Sequence, residues 1–114
     1  MSFSEITYDE FTKVDLRVGT IIKAEEFPEA RKPAFKVWVD FGPEIGVKQT
    51  SAQITVHYKP ETLIGKQIVG CVNLGTKKIA GFNSEFLLTG FSATDDSILL
   101  VAPDATVPNG AKLH

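Results

Sequence analysis

The chain holds a single cysteine, Cys71, in 114 residues, which excludes an intrachain disulfide and any multi-cysteine metal site. A reducing compartment fits, and a cytoplasmic location is expected. Histidine is almost as scarce, at His57 and His114, so a His-based metal site or catalytic triad would need partners the sequence does not advertise. There is no glycine-rich phosphate loop of the mononucleotide or dinucleotide type. No apolar run approaches the ~20 residues that cross a bilayer, and the first residues, MSFSEITYDEF, lack the basic and apolar regions of a secretory leader. Membrane insertion and secretion are therefore not expected. Cys71, within Gln67-Ile68-Val69-Gly70-Cys71-Val72, reads as a small core residue, and Asp95-Asp96 as a turn pair. With no nucleophile, metal or cofactor motif in view, we expect no catalytic residue, no metal and no cofactor. A non-catalytic binding role is what remains.

What is present favours strands. The length fits one domain, 1–114, large enough to bury about two-thirds of the unfolded chain's surface. Thr7 and Glu10 have capping-box spacing, which predicts a short N-terminal helix. A β-branched run from Leu16 to Ile22 predicts a strand that Phe27-Pro28 ends, with Gly19 as the place for a bulge or bend. Phe35 to Phe41 alternates strictly, apolar at odd positions and Lys36, Trp38 and Asp40 between them, the signature of a half-buried strand. Gly42-Pro43-Glu44 is turn chemistry, and Ile45 to Ser51 can return as a hairpin arm. Pro60 suits the first turn of a short helix or a loop, and not a central strand. Gln67 to Leu74, Ser84 to Phe91 and Ile98 to Ala102 supply further strands. About five substantial strands with short helical turns predict a mainly β, OB-fold five-stranded barrel, with a sandwich as the other architecture.

The net charge of −2 hides an uneven distribution. Residues 27–94 carry eight basic side chains against five acidic, whereas 1–26 carry three against six and 95–114 one against three. A basic patch can thus exist on an acidic protein. The segment 73–85 puts Lys77-Lys78, two amides, hydroxyls and Phe82 into one connection between strands. Those residue types suit phosphates, base edges and an unpaired base, and they equally suit a solvated hairpin loop. Arg31, Lys32 and Lys36 form a second cluster that could extend a phosphate-tracking surface or simply be solvated. Arg17, two residues from Asp15, suits a structural ion pair or a ligand contact, and the ion pair is the preferred reading. Trp38 is turned outward by the alternation and needs a cover: a helix or loop of its own chain, a dimer partner, a peptide or a base.

The segments D-L-R-V-G-T-I (15–21), Q-T-S-A-Q-I (49–54) and N-L-G-T-K-K-I-A-G-F-N-S-E (73–85) resemble the tRNA-binding domain family, appended to some aminoacyl-tRNA synthetases and also free-standing. E-E-F-P-E-A-R-K-P-A (25–34) and Y-K-P-E-T-L-I-G-K-Q (58–67) are most similar to its free-standing, CsaA-type members, described as secretion-related chaperones. The resemblance runs from about Asp15 to Gly110. It implies an OB-fold core, a homodimer, tRNA as a partner, and unfolded or precursor polypeptides as a second partner. It places RNA contacts on Asn73, Lys77, Lys78, Ser84 and Glu85, to which the residue chemistry adds Phe82, Arg31, Lys32 and Lys36. Trp38 is the candidate for a peptide or dimer surface. Synthetase-appended members usually have Gly-Met after the Ser-Glu or Ser-Gln pair and a proline before the basic pair; this chain has Phe86-Leu87 and Gly75-Thr76.

Overall fold

In the computed structural model, which describes residues 3–114, the chain runs as α1 (Tyr8–Thr12), β1 (Leu16–Glu26), β2 (Phe35–Asp40), β3 (Val47–Ala52), α2 (Pro60–Leu63) and β4 (Gln67–Cys71). The short strands β5 (Lys77–Ile79), β6 (Phe82–Ser84), β7 (Leu87–Leu88), β8 (Gly90–Ser92) and β9 (Ile98–Leu100) follow. β3-β2-β1-β4-β7 form one antiparallel sheet, curled into a nearly closed barrel. β5–β6 and β8–β9 are separate two-stranded sheets. The expected OB-like, mainly β architecture is what the chain adopts.

Local chemistry explains the elements. Thr7 Oγ1 accepts from the Glu10 backbone N–H at 3.1 Å while the Glu10 carboxylate accepts from the Thr7 N–H at 3.0 Å, satisfying two otherwise orphaned donors at the start of α1. The alternation in β2 is realised in full: Phe35, Val37, Val39 and then Phe41 are buried, whereas Lys36, Trp38 and Asp40 are not. They meet Ile21, Ile68, Phe86 and Leu88 inside the barrel, and Leu63 of α2 plugs the same core. Of the helix and the loop that the sequence allowed, Pro60 opens a helix, α2, fixing φ where no backbone donor is needed.

Three details differ from expectation. The break in strand register falls between Ile21 and Lys23, not at Gly19. Gly19 is instead a point of close approach, since a Cβ there would meet Val39 Cγ1 at 2.4 Å and Phe41 Cδ1 at 2.8 Å. The returning hairpin arm begins at Val47, because Gly42 and Gly46 close the turn with Gly46 N–H donating to the Gly42 carbonyl at 2.7 Å. The stretch Ser84 to Phe91 is three short strands and not one. Glu85 turns onto β3 and Phe86 into the core. Thr89 crosses over, its N–H donating to Val69 and its carbonyl accepting from Val101.

The C-terminal segment adds a clamp. Gly110 N–H donates to the Val18 carbonyl at 2.7 Å, Val18 N–H to Ala111 at 2.9 Å and Leu113 N–H to Leu16 at 2.8 Å. The predicted Arg17–Asp15 pair is present at 2.6 Å, and Arg17 also donates to the Gly110 carbonyl at 3.0 Å, so the pair fastens the clamp as well. Gly19→Ala should destabilise the fold by about 1–3 kcal/mol through overpacking. Urea unfolding will read this as a lower midpoint with an unchanged slope, and an unchanged midpoint would refute the close packing of β1 on β2.

Candidate nucleic-acid interface

The 73–85 connection is a hairpin, β5 against β6, with Ala80-Gly81 at its tip. Both tip residues have positive φ, 48° and 81°, the geometry of the tight two-residue turn that matches strand twist. Ile79 and Phe82 are paired beside that turn, and Lys77 pairs with Ser84 at the base.

The hairpin is fastened across the outer face of β2 and β3. Ser84 and Ser51 hydroxyls lie 3.0 Å apart and the Ser51 N–H donates to Ser84 Oγ at 3.1 Å. Gln49 gives its backbone N–H to the Glu85 carboxylate at 3.0 Å and its side-chain amide to the Asn83 carbonyl at 3.0 Å, while its Oε1 accepts from the Trp38 indole at 3.2 Å. Phe82 then meets Trp38 edge-on, ring centroids 5.8 Å apart, and Phe27 at 5.6 Å. The outward Trp38 is therefore covered by its own chain.

Cations bracket this aromatic row. Lys23 Nζ sits 4.6 Å from the Trp38 ring, and Lys36 Nζ lies 4.8 Å from Phe27 and 5.1 Å from Phe82. An ammonium over a ring face is attracted by the ring quadrupole. Lys23 is paired with Glu25 at 3.2 Å. Arg31, Lys32, Lys36, Lys77 and Lys78 form no ion pair among the described residues. Arg31 and Lys32 line a groove to which Ile79 of β5 also contributes, so the 31–32 segment lies beside the strand that carries Lys77 and Lys78.

Not every candidate joins it. Asn73 accepts from the Asp15 N–H at 3.0 Å and donates to the Lys13 carbonyl at 2.7 Å, which ties the end of β4 to the α1–β1 junction. Ser84 is buried, and Glu85 is engaged with Gln49; both hold the hairpin base. Phe27, Lys23 and Gln49 are participants that sequence reasoning missed. Phe27 read as a strand terminator, and nothing local signals that a hairpin 55 residues later will rest on it. Phe86, where the synthetase-appended pattern has glycine, packs edge-on to Phe41 at 4.9 Å in the core.

One other cluster has the residue types of a catalytic triad. His57 Nε2 lies 2.6 Å from Ser97 Oγ, and Ser97 donates its hydroxyl proton to Asp95. That hydroxyl bond, with the Ser97 backbone N–H, holds the Asp95 carboxyl below its ordinary range. The arrangement is unlike a triad, in which the carboxylate holds the histidine: here Asp95 meets Ser97 and not His57, and Ser97 is buried. The trio locks the turn between β8 and β9 to the segment before α2.

Residues 16–112 match the family model of the putative tRNA binding domain. The chain belongs to the tRNA-binding domain family. It is 47% identical to the chaperone CsaA of Bacillus anthracis, with a TM-score of 0.91 over 97% of this chain and 100% of that one. The MetRS-related protein of Pyrococcus horikoshii is 31% identical, with a TM-score of 0.85 over 98% of this chain and 100% of that one. Methionine–tRNA ligase 1 of Sorangium cellulosum is 39% identical over 110 residues, 96% of this chain. The chain spans only 15% of that ligase's length. Among the described residues of this tRNA-binding-family domain, no helix is long and apolar enough to cross a membrane.

Because Trp38 is the chain's only tryptophan, its emission reports the hairpin. Phe82→Ala should shift that emission to the red, raise its quenching by acrylamide and cost about 1–2 kcal/mol of stability. An unchanged spectrum would mean that Phe82 does not cover the indole.

Proposed function

We propose that this family member is a single, non-catalytic binding domain that takes tRNA on the face formed by the β5–β6 hairpin and the 31–36 segment. The observation that carries this reading is Lys36 held over Phe27 and Phe82, with Lys77 and Lys78 on the same hairpin as Phe82 and Arg31 and Lys32 in the segment before Lys36, all five without a carboxylate partner among the described residues. On a protein of net charge −2, cations carried by the hairpin and the 31–36 segment without carboxylates beside them concentrate positive potential where a phosphate backbone would lie. Lys36 is held by the rings, so little freedom is lost when it meets a phosphate. Asn73, Ser84 and Glu85 act as supports of that face, and Phe82 offers only its uncovered edge to a base. In filter binding, affinity for tRNA should fall with salt at a log-log slope of about 0.7–0.9 per phosphate neutralised. Lys77→Ala with Lys78→Ala should lower both the affinity and, by about 1.5, the slope. Affinity that is insensitive to salt, or no greater for tRNA than for duplex DNA, would overturn the reading.

The likeness to CsaA chaperones supports polypeptide binding as a second activity, toward unfolded or precursor chains. A groove of about 680 Å³ lined largely by Ala and Leu or Ile side chains is a separate observation in its favour. If RNA binding proves weak, this activity stands alone.

We also infer a homodimer. Phe91 and Leu99 pair across β8–β9 and are 71% and 44% exposed. Burying a large apolar side chain is worth about 1.5–3 kcal/mol, and a two-fold axis applies the gain twice. Light scattering at micromolar concentration should give twice the 12.4 kDa chain mass. Phe91→Asp should give the monomer with its circular dichroism retained, and a monomeric wild type would contradict the inference.

A further inference from the structure

The main sheet ends on β3, and the segment 84–86 covers only part of that edge. Backbone groups pointing away from β2 recur at every second residue, here Gln49 and Ser51, and Gln53 continues that series one residue beyond the end of the strand. Those of Gln49 are matched by Glu85, and the Ser51 N–H by Ser84. The Ser51 carbonyl meets only the Thr50 hydroxyl at 3.4 Å, and that hydroxyl also serves the Phe86 carbonyl at 2.7 Å. The Gln53 N–H and carbonyl have no hydrogen-bond partner among the described residues.

This unmatched edge opens into the 680 Å³ groove, where Ala52, Ile54, Leu87 and Ile98 supply apolar walls and Arg31 and Lys32 supply charge. No acidic and no aromatic residue lines it. Backbone donors and acceptors at strand spacing, beside apolar walls, are what an added β-strand requires. A nucleotide chain would find no ring to stack on there and no match for alternate apolar side chains.

We propose that the groove takes an extended polypeptide segment by strand addition to Ser51–Gln53. Alternate apolar side chains of the segment enter the groove, and an Asp or Glu carboxylate of the segment meets Arg31 and Lys32. This inference rests on the polypeptide-binding reading above and gives that activity a site and a register.

The test uses the full chain and a fluorescein-labelled nonapeptide of alternating Leu and Thr with one Asp, followed by anisotropy. Two further versions carry N-methyl groups on one or the other alternate set of backbone nitrogens. One methylated set should bind at least tenfold more weakly and the other within twofold of the parent, since a strand pairs along one edge. Arg31→Glu with Lys32→Glu should weaken the parent peptide at least fivefold and a version with Asn in place of Asp much less. Gln53→Pro removes the edge N–H and should abolish the alternation between methylated sets. Should Gln53→Pro lose its circular dichroism, Leu87→Arg, at an exposed position, should block the groove instead. Equal binding of both methylated peptides would overturn strand addition while leaving polypeptide binding in place. Failure of the parent peptide to bind, together with failure to suppress aggregation of an unfolded client, would overturn both. Because Arg31 and Lys32 also belong to the proposed tRNA face, tRNA should displace the Asp peptide more readily than the Asn version; displacement of both alike, lost in Lys77→Ala/Lys78→Ala, would make the groove a nucleic-acid surface and overturn the proposal.

Discussion

A barrel that curls from a five-stranded sheet has to satisfy the outward edge of its last strand, and in this chain that requirement falls on β3. An unpaired strand edge is both a loss of hydrogen bonds and an invitation to other strands. The chain answers with Ser84, Glu85 and Phe86. Glu85 N–H donates to the Gln49 carbonyl at 2.8 Å, its carboxylate takes the Gln49 N–H, and the Phe86 carbonyl takes the Thr50 hydroxyl. Once those three residues are pinned to β3, the hairpin that precedes them has nowhere to lie except across the outer face of β2 and β3. The position of Phe82 on Trp38, the placement of Lys77 and Lys78, and the burial of Phe86 all follow from that attachment. So does the groove, which begins where the attachment stops.

The same strand supplies the core and the platform. β2 sends Phe35, Val37 and Val39 inward, and its intervening residues Lys36 and Trp38 become the base of the aromatic row. Core and interface are thus coupled through a period of two, and a one-residue slip of β2 would exchange them. The cations gain their effect from placement and not from number. The chain is acidic overall, yet Lys36 rests on Phe27 and Phe82 and Lys23 on Trp38, while Arg17 is paired with Asp15 and serves the fold.

Much of this was legible from residues alone. The capping box at Thr7, the alternation of Phe35 to Phe41 and the Arg17–Asp15 pair depend on neighbours within a few positions, which local patterns report. What was not legible depends on contacts across the chain. Nothing near Ser84 says that Glu85 will leave its strand for β3, so the segment to Phe91 read as one strand. Asn73 ties the end of β4 to Lys13 and Asp15, partners about sixty positions away that no local pattern announces. The clamp of Gly110 and Ala111 onto Val18 has no periodic signal at all. Phe27 and Gln49 entered the site only because distant residues came to rest on them.

The central claim is that the strapped hairpin and the 31–36 segment form one nucleic-acid surface, distinct from the rest of the barrel. Amide chemical-shift mapping of the labelled protein during titration with tRNA tests it most directly. The expected result is a set of perturbations confined to Arg31, Lys32, Lys36, Lys77, Lys78, Phe82 and the Trp38 indole, reversed by salt, with Asn73, Asp95 and Ser97 unmoved. Perturbations centred on Asn73 or on the β8–β9 turn, with the hairpin and Trp38 silent, would contradict it.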